Sequence, residues 1–231
     1  MDIKLVSWNI WRGKLLPEII DFLSSSRADI IALQEVEESD EYENTASHLA
    51  DVMDYEYVYS RSMAYEINGV MRYFGNAILS KHHIAGSRSH TLSEEQSRTA
   101  IQADIAVNDS VLHVVSVHLI HSHQQPSAIQ EQQVKNLVGV VPKERTVIMG
   151  DFNSLPESKT IERMRQSFTD TDSMNVPSWC LYPDGCEQCK LDQVQWKLDY
   201  IFVSPAMKSH DFMAGDSKGS DHLPISVFLS V

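Results

Sequence analysis

The chain has 231 residues, with 42% hydrophobic and 22% charged content and a formal net charge of −13. These are the proportions of a globular chain rather than a disordered one, and they predict a single domain over 1–231. The negative field argues against a broad basic footprint for duplex nucleic acid; no apolar run reaches the roughly 18–20 residues of a spanning helix; and the start, MDIKLVSWNIWRGK, lacks a secretory leader's pattern, so a cytoplasmic location is expected.

IKLVSW (3–8) reads as a buried strand, and Leu15, Leu16, Ile19, Ile20 and Leu23 at helical spacing predict a helix over 14–26. ADIIALQE (28–35) is an apolar run ending in polar residues, the pattern of a strand buried on both sides. Asn44 is placed to cap a helix through Met53. Trp8, Trp11, Tyr55, Tyr57 and Tyr59 read as core and strand residues. GNAILS (75–80), RTAIQADIAV (98–107) and VLHVVSVHL (111–119) follow as strands, the last two joined by a turn at Asn108-Asp109-Ser110. Pro126 opens a helix to about Leu137, and RTVIMGD (145–151) is a further strand. Residues 154–195 are loop-rich, with one helix near 157–166 and a turn at Pro183-Asp184-Gly185. LDYIFVS (198–204), a strand near 208–213 and PISVFLS (224–230) close the series. About nine or ten strands with interspersed helices predict an α/β or α+β architecture with two sheets.

The polar residues fall at the ends of these apolar strands: Asn9, Glu35, His118, Asp151 with Asn153, Asp199, and Asp221 with His222. A buried acid costs several kcal/mol unless it is paired or bound to metal. Convergence of Asn9, Glu35, Asp151, Asn153 and Asp221 would give an oxygen set suited to magnesium or manganese. His118 and His222 would add imidazoles that change charge near neutral pH. His121 and His123, just past the His118 strand, read either as part of a substrate-facing loop or, the favoured reading, as a solvated loop. Arg98 reads either as a fork for phosphate or as half of a surface salt bridge. Cys180, Cys186 and Cys189 are expected to be reduced thiols, since a zinc site lacks its fourth ligand and a disulfide would leave one thiol over.

Trp-Asn-Ile (8–10), Leu-Gln-Glu-Val (33–36), Gly-Asn-Ala-Ile-Leu-Ser (75–80), Val-His-Leu (117–119), Gly-Asp-Phe-Asn (150–153), Leu-Asp-Tyr-Ile-Phe (198–202) and Ser-Asp-His-Leu-Pro-Ile (220–225) occur in this order. The series resembles that of the endonuclease/exonuclease/phosphatase superfamily, over residues 8 to 225. The resemblance implies a four-layer α/β sandwich: two packed, mainly antiparallel sheets flanked by helices, with the site at one edge. It also implies a phosphoric ester hydrolase dependent on one or two Mg²⁺ or Mn²⁺ ions. Glu35 would be the principal metal ligand, with Asn9 and Asp221 completing that side directly or through water. Asp151 would position and deprotonate the attacking water, or hold a second ion. Asn153 would fix the nucleophile or a phosphoryl oxygen. Asp199 would accept a hydrogen bond from His222, which stabilises phosphoryl charge or serves as general base. His118 would contact the scissile phosphate, with Asn76 and Arg98 in support.

The expected reaction is attack of an activated water on a phosphodiester or phosphomonoester. The substrate stays open between a small molecule, a lipid headgroup, and nucleic acid ends or single strands. A catalytically silent phosphate-binding protein is the alternative from another class. A monomer with no protein partner is expected. The loop carrying Trp179, Cys180, Tyr182, Cys186 and Trp196 is expected to border the site and to bear on substrate choice.

Overall fold

In the computed structural model, which describes residues 1–38, 43–94, 97–185 and 193–231, the first strand already displays the building rule. Side chains along β1 (Asp2–Asn9) alternate between two faces. Ile3 and Leu5 enter one apolar core, and Val6 and Trp8 enter another. Ser7 and Asn9 continue the face of Ile3 and Leu5, so that face ends in polar groups.

Residues Trp11–Gly13 form a 3-10 turn, which delays the first helix, α1, to Leu16–Ser26. After β2 (Ile30–Glu37), α2 (Thr45–Met53) is capped as expected, with Asn44 and Ser47 exchanging side-chain and backbone hydrogen bonds. Then come β3 (Glu56–Ile67), β4 (Val70–Ser80), β5 (Ile84–Thr91), β6 (Thr99–Val107) and β7 (Ser110–His118). The helix expected from Pro126 is α3 (Ala128–Val140), with Ser127 capping Gln130. It is followed by β8 (Thr146–Asp151), α4 (Lys159–Arg165), β9 (Thr169–Asp170), β10 (Asp199–Val203), β11 (Lys208–Ala214) and β12 (Ile225–Ser230).

The described strands number twelve rather than nine or ten, in two sheets ordered β11-β12-β1-β2-β4-β3 and β5-β6-β7-β8-β10-β9. Neighbours are antiparallel except β1 with β2 and β7 with β8. Each parallel pair is joined by a crossover that contains one helix, α1 or α3. The two sheets pack face to face over a shared core that includes Leu5, Ile30, Ala103, Val114, Met149 and Ile201. Outside the first sheet, Ile19, Leu23, Ala46 and Leu49 of α1 and α2 pack on Val6, Trp8, Ile31 and Leu33. Outside the second, Val134, Leu137, Ile161 and Met164 of α3 and α4 pack on Val115, Val117, Ile148 and Phe202. The result is the expected helix–sheet–sheet–helix sandwich. Among the described residues, no helix is long and apolar enough to cross a membrane.

Register carries the polar strand ends to one edge. His118 lies opposite Asp151, Asp151 opposite Asp199, and Asn9 opposite Gln34. Gly150, at φ +153°, allows β8 this close beside β7: a Cβ there would collide with the Val117 carbonyl oxygen. The Gly-Asp pair is therefore one device, a backbone close approach followed by the acid it delivers.

Candidate active site

Glu35 reaches the edge through a bulge. The register of β2 against β4 shifts between Leu33 and Val36, and Glu35 takes a left-handed φ of 54°. Gln34 keeps the inner face, where its amide donates to Ser116 Oγ at 3.0 Å. Asn9 then ties the two sheets together. Its Nδ2 donates to Glu35 Oε1 and to Asp151 Oδ2, both at 3.2 Å, while its Oδ1 accepts from the Trp11 backbone N–H at 3.1 Å. Trp11 and Arg12, at φ 45° and 63°, hold the left-handed turn that makes this last bond possible.

Asp151 is the hub. Its Oδ1 accepts from the Asn153 backbone N–H at 2.8 Å. Around Oδ2 stand Asn9 Nδ2 at 3.2 Å, Asn153 Nδ2 at 3.3 Å, His118 Nε2 at 3.3 Å and His222 Nε2 at 3.6 Å. His222 Nδ1 donates to Asp199 Oδ2 at 2.8 Å, and Ser178 Oγ donates to the same oxygen at 2.6 Å. The segment carrying Asp221 and His222 is pinned at both ends: Trp8 Nε1 donates to the His222 carbonyl, and Ser220 Oγ donates to the Asn9 carbonyl. Asp221 Oδ2 accepts from Trp179 Nε1 at 3.0 Å. Gly185 closes over this acid, and a Cβ there would come within 2.5 Å of Asp221 Oδ2.

Of these groups Glu35, His118, Asp151, Asn153, Asp221 and His222 line a cavity of about 350 Å³ together with Arg98, while Asn9 and Asp199 are not part of its wall. Arg98 is 4% exposed. Its Nε and Nη1 have no hydrogen-bond partner among the described residues, so it is not the half of a surface salt bridge. Asn76 is buried but does not line the cavity; its Nδ2 donates to the Thr99 carbonyl and links β4 to β6 across the core. His121 and His123 do line it, which corrects their reading as a solvated loop. Trp11, with Arg12, Met63, Tyr65 and Phe74, walls a second hollow of about 380 Å³ that shares Glu35 and Asp221 with the first. Trp179 and Gly185 bring the expected bordering loop to the cavity. Cys180 is buried there, while Cys186 and Cys189 lie outside the described residues.

Burial and the neighbouring Asp221 raise the Glu35 carboxyl. Burial likewise raises Asp151, against the attraction of His222 and with repulsion from Asp199. For His222, burial disfavours the cation, yet Asp199, Asp151 and Asp221 together outweigh it and raise its pKa. His118 is depressed well below the ordinary imidazole value by burial, then by Arg98 and the neighbouring imidazoles. At neutral pH His222 is therefore an imidazolium and His118 a neutral imidazole.

Two groups have metal-ligand chemistry. Asp151, Asp199 and His222 offer atoms within 4.8 Å of one another, but His222 already stands as a cation between the two acids, although Asp199 Oδ1 has no partner among the described residues. Glu35 and Asp221 repel each other, and the pull of His222 and Arg12 on Glu35 is weaker than burial and that repulsion. Hard oxygen donors short of positive charge suit a divalent cation, so the second group fits one better.

A sequence model of the Endonuclease/Exonuclease/phosphatase family matches residues 6–222. No curated protein matches the chain. Among solved structures, the endonuclease/exonuclease/phosphatase from Beutenbergia cavernae DSM 12333 is similar, with a TM-score of 0.81 at 18% identity over 100% of this chain and 72% of that one. A family protein from Leptotrichia buccalis C-1013-b gives 0.80 at 18% identity, covering 99% and 100%. The 3′ phosphatase NExo from Neisseria, bound to a product DNA hairpin, gives 0.73 at 20% identity, covering 99% and 100%.

Proposed function

Because the chain belongs to the endonuclease/exonuclease/phosphatase family, a superfamily of phosphoric ester hydrolases, we propose that it hydrolyses a phosphoester by attack of an activated water on phosphorus. The observation that carries this reading is the crowding of Asn9, Asn153, His118 and His222 around the single oxygen Asp151 Oδ2. A carboxyl whose proton affinity is raised by burial is poised to take a proton from water. Asn153 orients that water, and the His222 cation, held by Asp199, offsets charge on the phosphoryl oxygens. Neutral His118 and the unpartnered donors of Arg98 contact the same oxygens. Glu35 and Asp221, with Asn9 steadying Glu35, would hold a magnesium or manganese ion. When bound, that ion supplies charge neutralisation at the leaving oxygen.

The net charge of −13 and the confined cavity favour a small phosphoester or one at the end of a chain over the interior of a long duplex. A terminal phosphate is the substrate type named for the Neisseria neighbour. The test is hydrolysis of an aryl phosphodiester and an aryl phosphomonoester with magnesium, with manganese and with EDTA. Turnover should require the metal, and Asp151→Asn should abolish it while leaving the circular dichroism spectrum unchanged. Near-wild-type turnover by Asp151→Asn would refute the role of that acid. Metal-dependent nicking of plasmid at rates matching the small esters would refute the preference for small or terminal ones.

A further inference from the structure

We propose that His121, steadied by His123, is a positioning residue of this site: its Nδ1–H donates to Asn153 Oδ1 and so anchors the Asn153 amide from its oxygen side. The inference rests on the reading that Asn153 serves the reaction.

An asparagine amide can lie in either of two orientations, and its partners decide between them. The Leu119 carbonyl accepts and cannot donate, and Asn153 Nδ2 lies 3.1 Å from it. The same Nδ2 is 3.0 Å from His118 Nε2 and 3.3 Å from Asp151 Oδ2. Oδ1 therefore faces His121 Nδ1, at 2.6 Å. A carbonyl oxygen offers only lone pairs, so His121 carries its proton on Nδ1. His121 Nε2 is then an acceptor, and His123 Nδ1 lies 3.1 Å away to donate to it. Burial lowers the pKa of His121, in keeping with a neutral ring of this one tautomer.

The loop spends conformational strain on this arrangement. His123 and Gln124 both have left-handed backbones, φ 50° and 59°, a conformation that is strained for residues with a Cβ. That turn folds the His123 ring back edge-on to His121, with centroids 4.5 Å apart at 87°. The other flank of His121 meets the Trp179 ring at 5.9 Å and 62°. Trp179 in turn donates to Asp221. His121 thus sits between the amide beside the attacking water and the indole that holds a carboxylate on the opposite wall. Without its N–H, the amide loses the bond on its oxygen side and is held only through Nδ2, by the Leu119 carbonyl and the Asp151 carboxylate.

Long-range proton–nitrogen NMR correlation on histidine-labelled wild-type protein tests the geometry with no reference to activity. Protonated Nδ1 and bare Nε2 on His121 are expected; the reverse tautomer would overturn the proposal. The kinetic arm compares His121→Phe with His121→Asn. Phenylalanine keeps a ring against Trp179 but has no donor, whereas the asparagine Nδ2 stands where Nδ1 stood. With an aryl phosphodiester, His121→Phe should lower kcat by about 10–100-fold, the scale of lost outer-sphere orientation, with KM little changed. His121→Asn should recover most of that loss at an equal urea midpoint. Wild-type kcat in His121→Phe, or no recovery in His121→Asn, would also overturn the proposal. If wild-type protein hydrolyses no phosphoester at all, the functional reading fails instead, and the tautomer still decides the geometry.

Discussion

Arg98 brings a guanidinium into the wall of the cavity, and two of its nitrogens have no partner among the described residues. Burial lowers its pKa, and Glu35 and Asp151 are among the few groups that favour its charge. Each unmet donor costs about 1–3 kcal/mol, so the residue is expected to work against stability until an anion arrives. Arg98→Met should therefore raise the urea midpoint in phosphate-free buffer, by the equivalent of about 1–3 kcal/mol. The same change should remove the stabilisation that inorganic phosphate gives the wild type. A less stable variant that still responds to phosphate would contradict both parts. Asn9 and His118 were legible in the sequence because strand alternation announces them. Ile-x-Leu-x-Ser-x-Asn in β1 and Leu-x-Val-x-Ser-x-His in β7 run an apolar face straight into a polar end. His121 and Trp179 were not legible in this way. They sit in loops, where no period ties a residue to a face, and only the folded chain brings them to Asn153 and Asp221.

Across β5, β6 and β7, a polar ladder stands on the outer face of the second sheet, the face on which α3 and α4 pack farther along. Asp104 accepts from His113 at 2.7 Å, from Gln102 at 2.7 Å and from Arg88 at 3.0 Å. Burial pushes its carboxyl up, but the hydrogen bonds from His113 and Gln102 and the charges of His113 and Arg88 pull it below the ordinary value. A depressed acid stabilises the fold above its unfolded pKa, near 3.9, and loses that contribution as pH falls through the lower folded value. The difference in urea midpoint between wild type and Asp104→Asn should thus be full at about pH 6 and shrink towards zero below about pH 3. A difference that persists in acid would mean that packing, and not charge, holds the ladder. The strands left out of the sequence reading share one property with this region: they are edges. β3, β5 and β9 each have one bonded neighbour, and Ile84–Thr91 is mostly exposed. A strand defined by hydrogen bonds on one side and solvent on the other has little apolar signal to read.

At the scale of the molecule, the charge of −13 surrounds a site that must admit an anion. Repulsion of this kind weakens as the Debye length falls from about 30 Å at 0.01 M salt to about 8 Å at 0.15 M. With magnesium held constant, kcat/KM for an anionic ester should rise over that range; a fall would reveal local cationic steering strong enough to reverse the overall field. The two-sheet architecture could be anticipated from the number of apolar runs and from the motif series. The order of strands could not, because pairing is settled by contacts between distant parts of the chain. The bond from Asn9 to Asp151, 3.2 Å long, adds a last consequence. It joins a residue of one sheet to a residue of the other, and so makes the site a gauge of how the sheets are seated. A slip of a few tenths of an ångström in the filling between them, at Ala103 or Val114 for example, would leave a well-folded protein with its two halves out of true. Loss of function in this chain would then arise as readily from a fault in alignment deep in the sandwich as from damage to any group that touches the substrate.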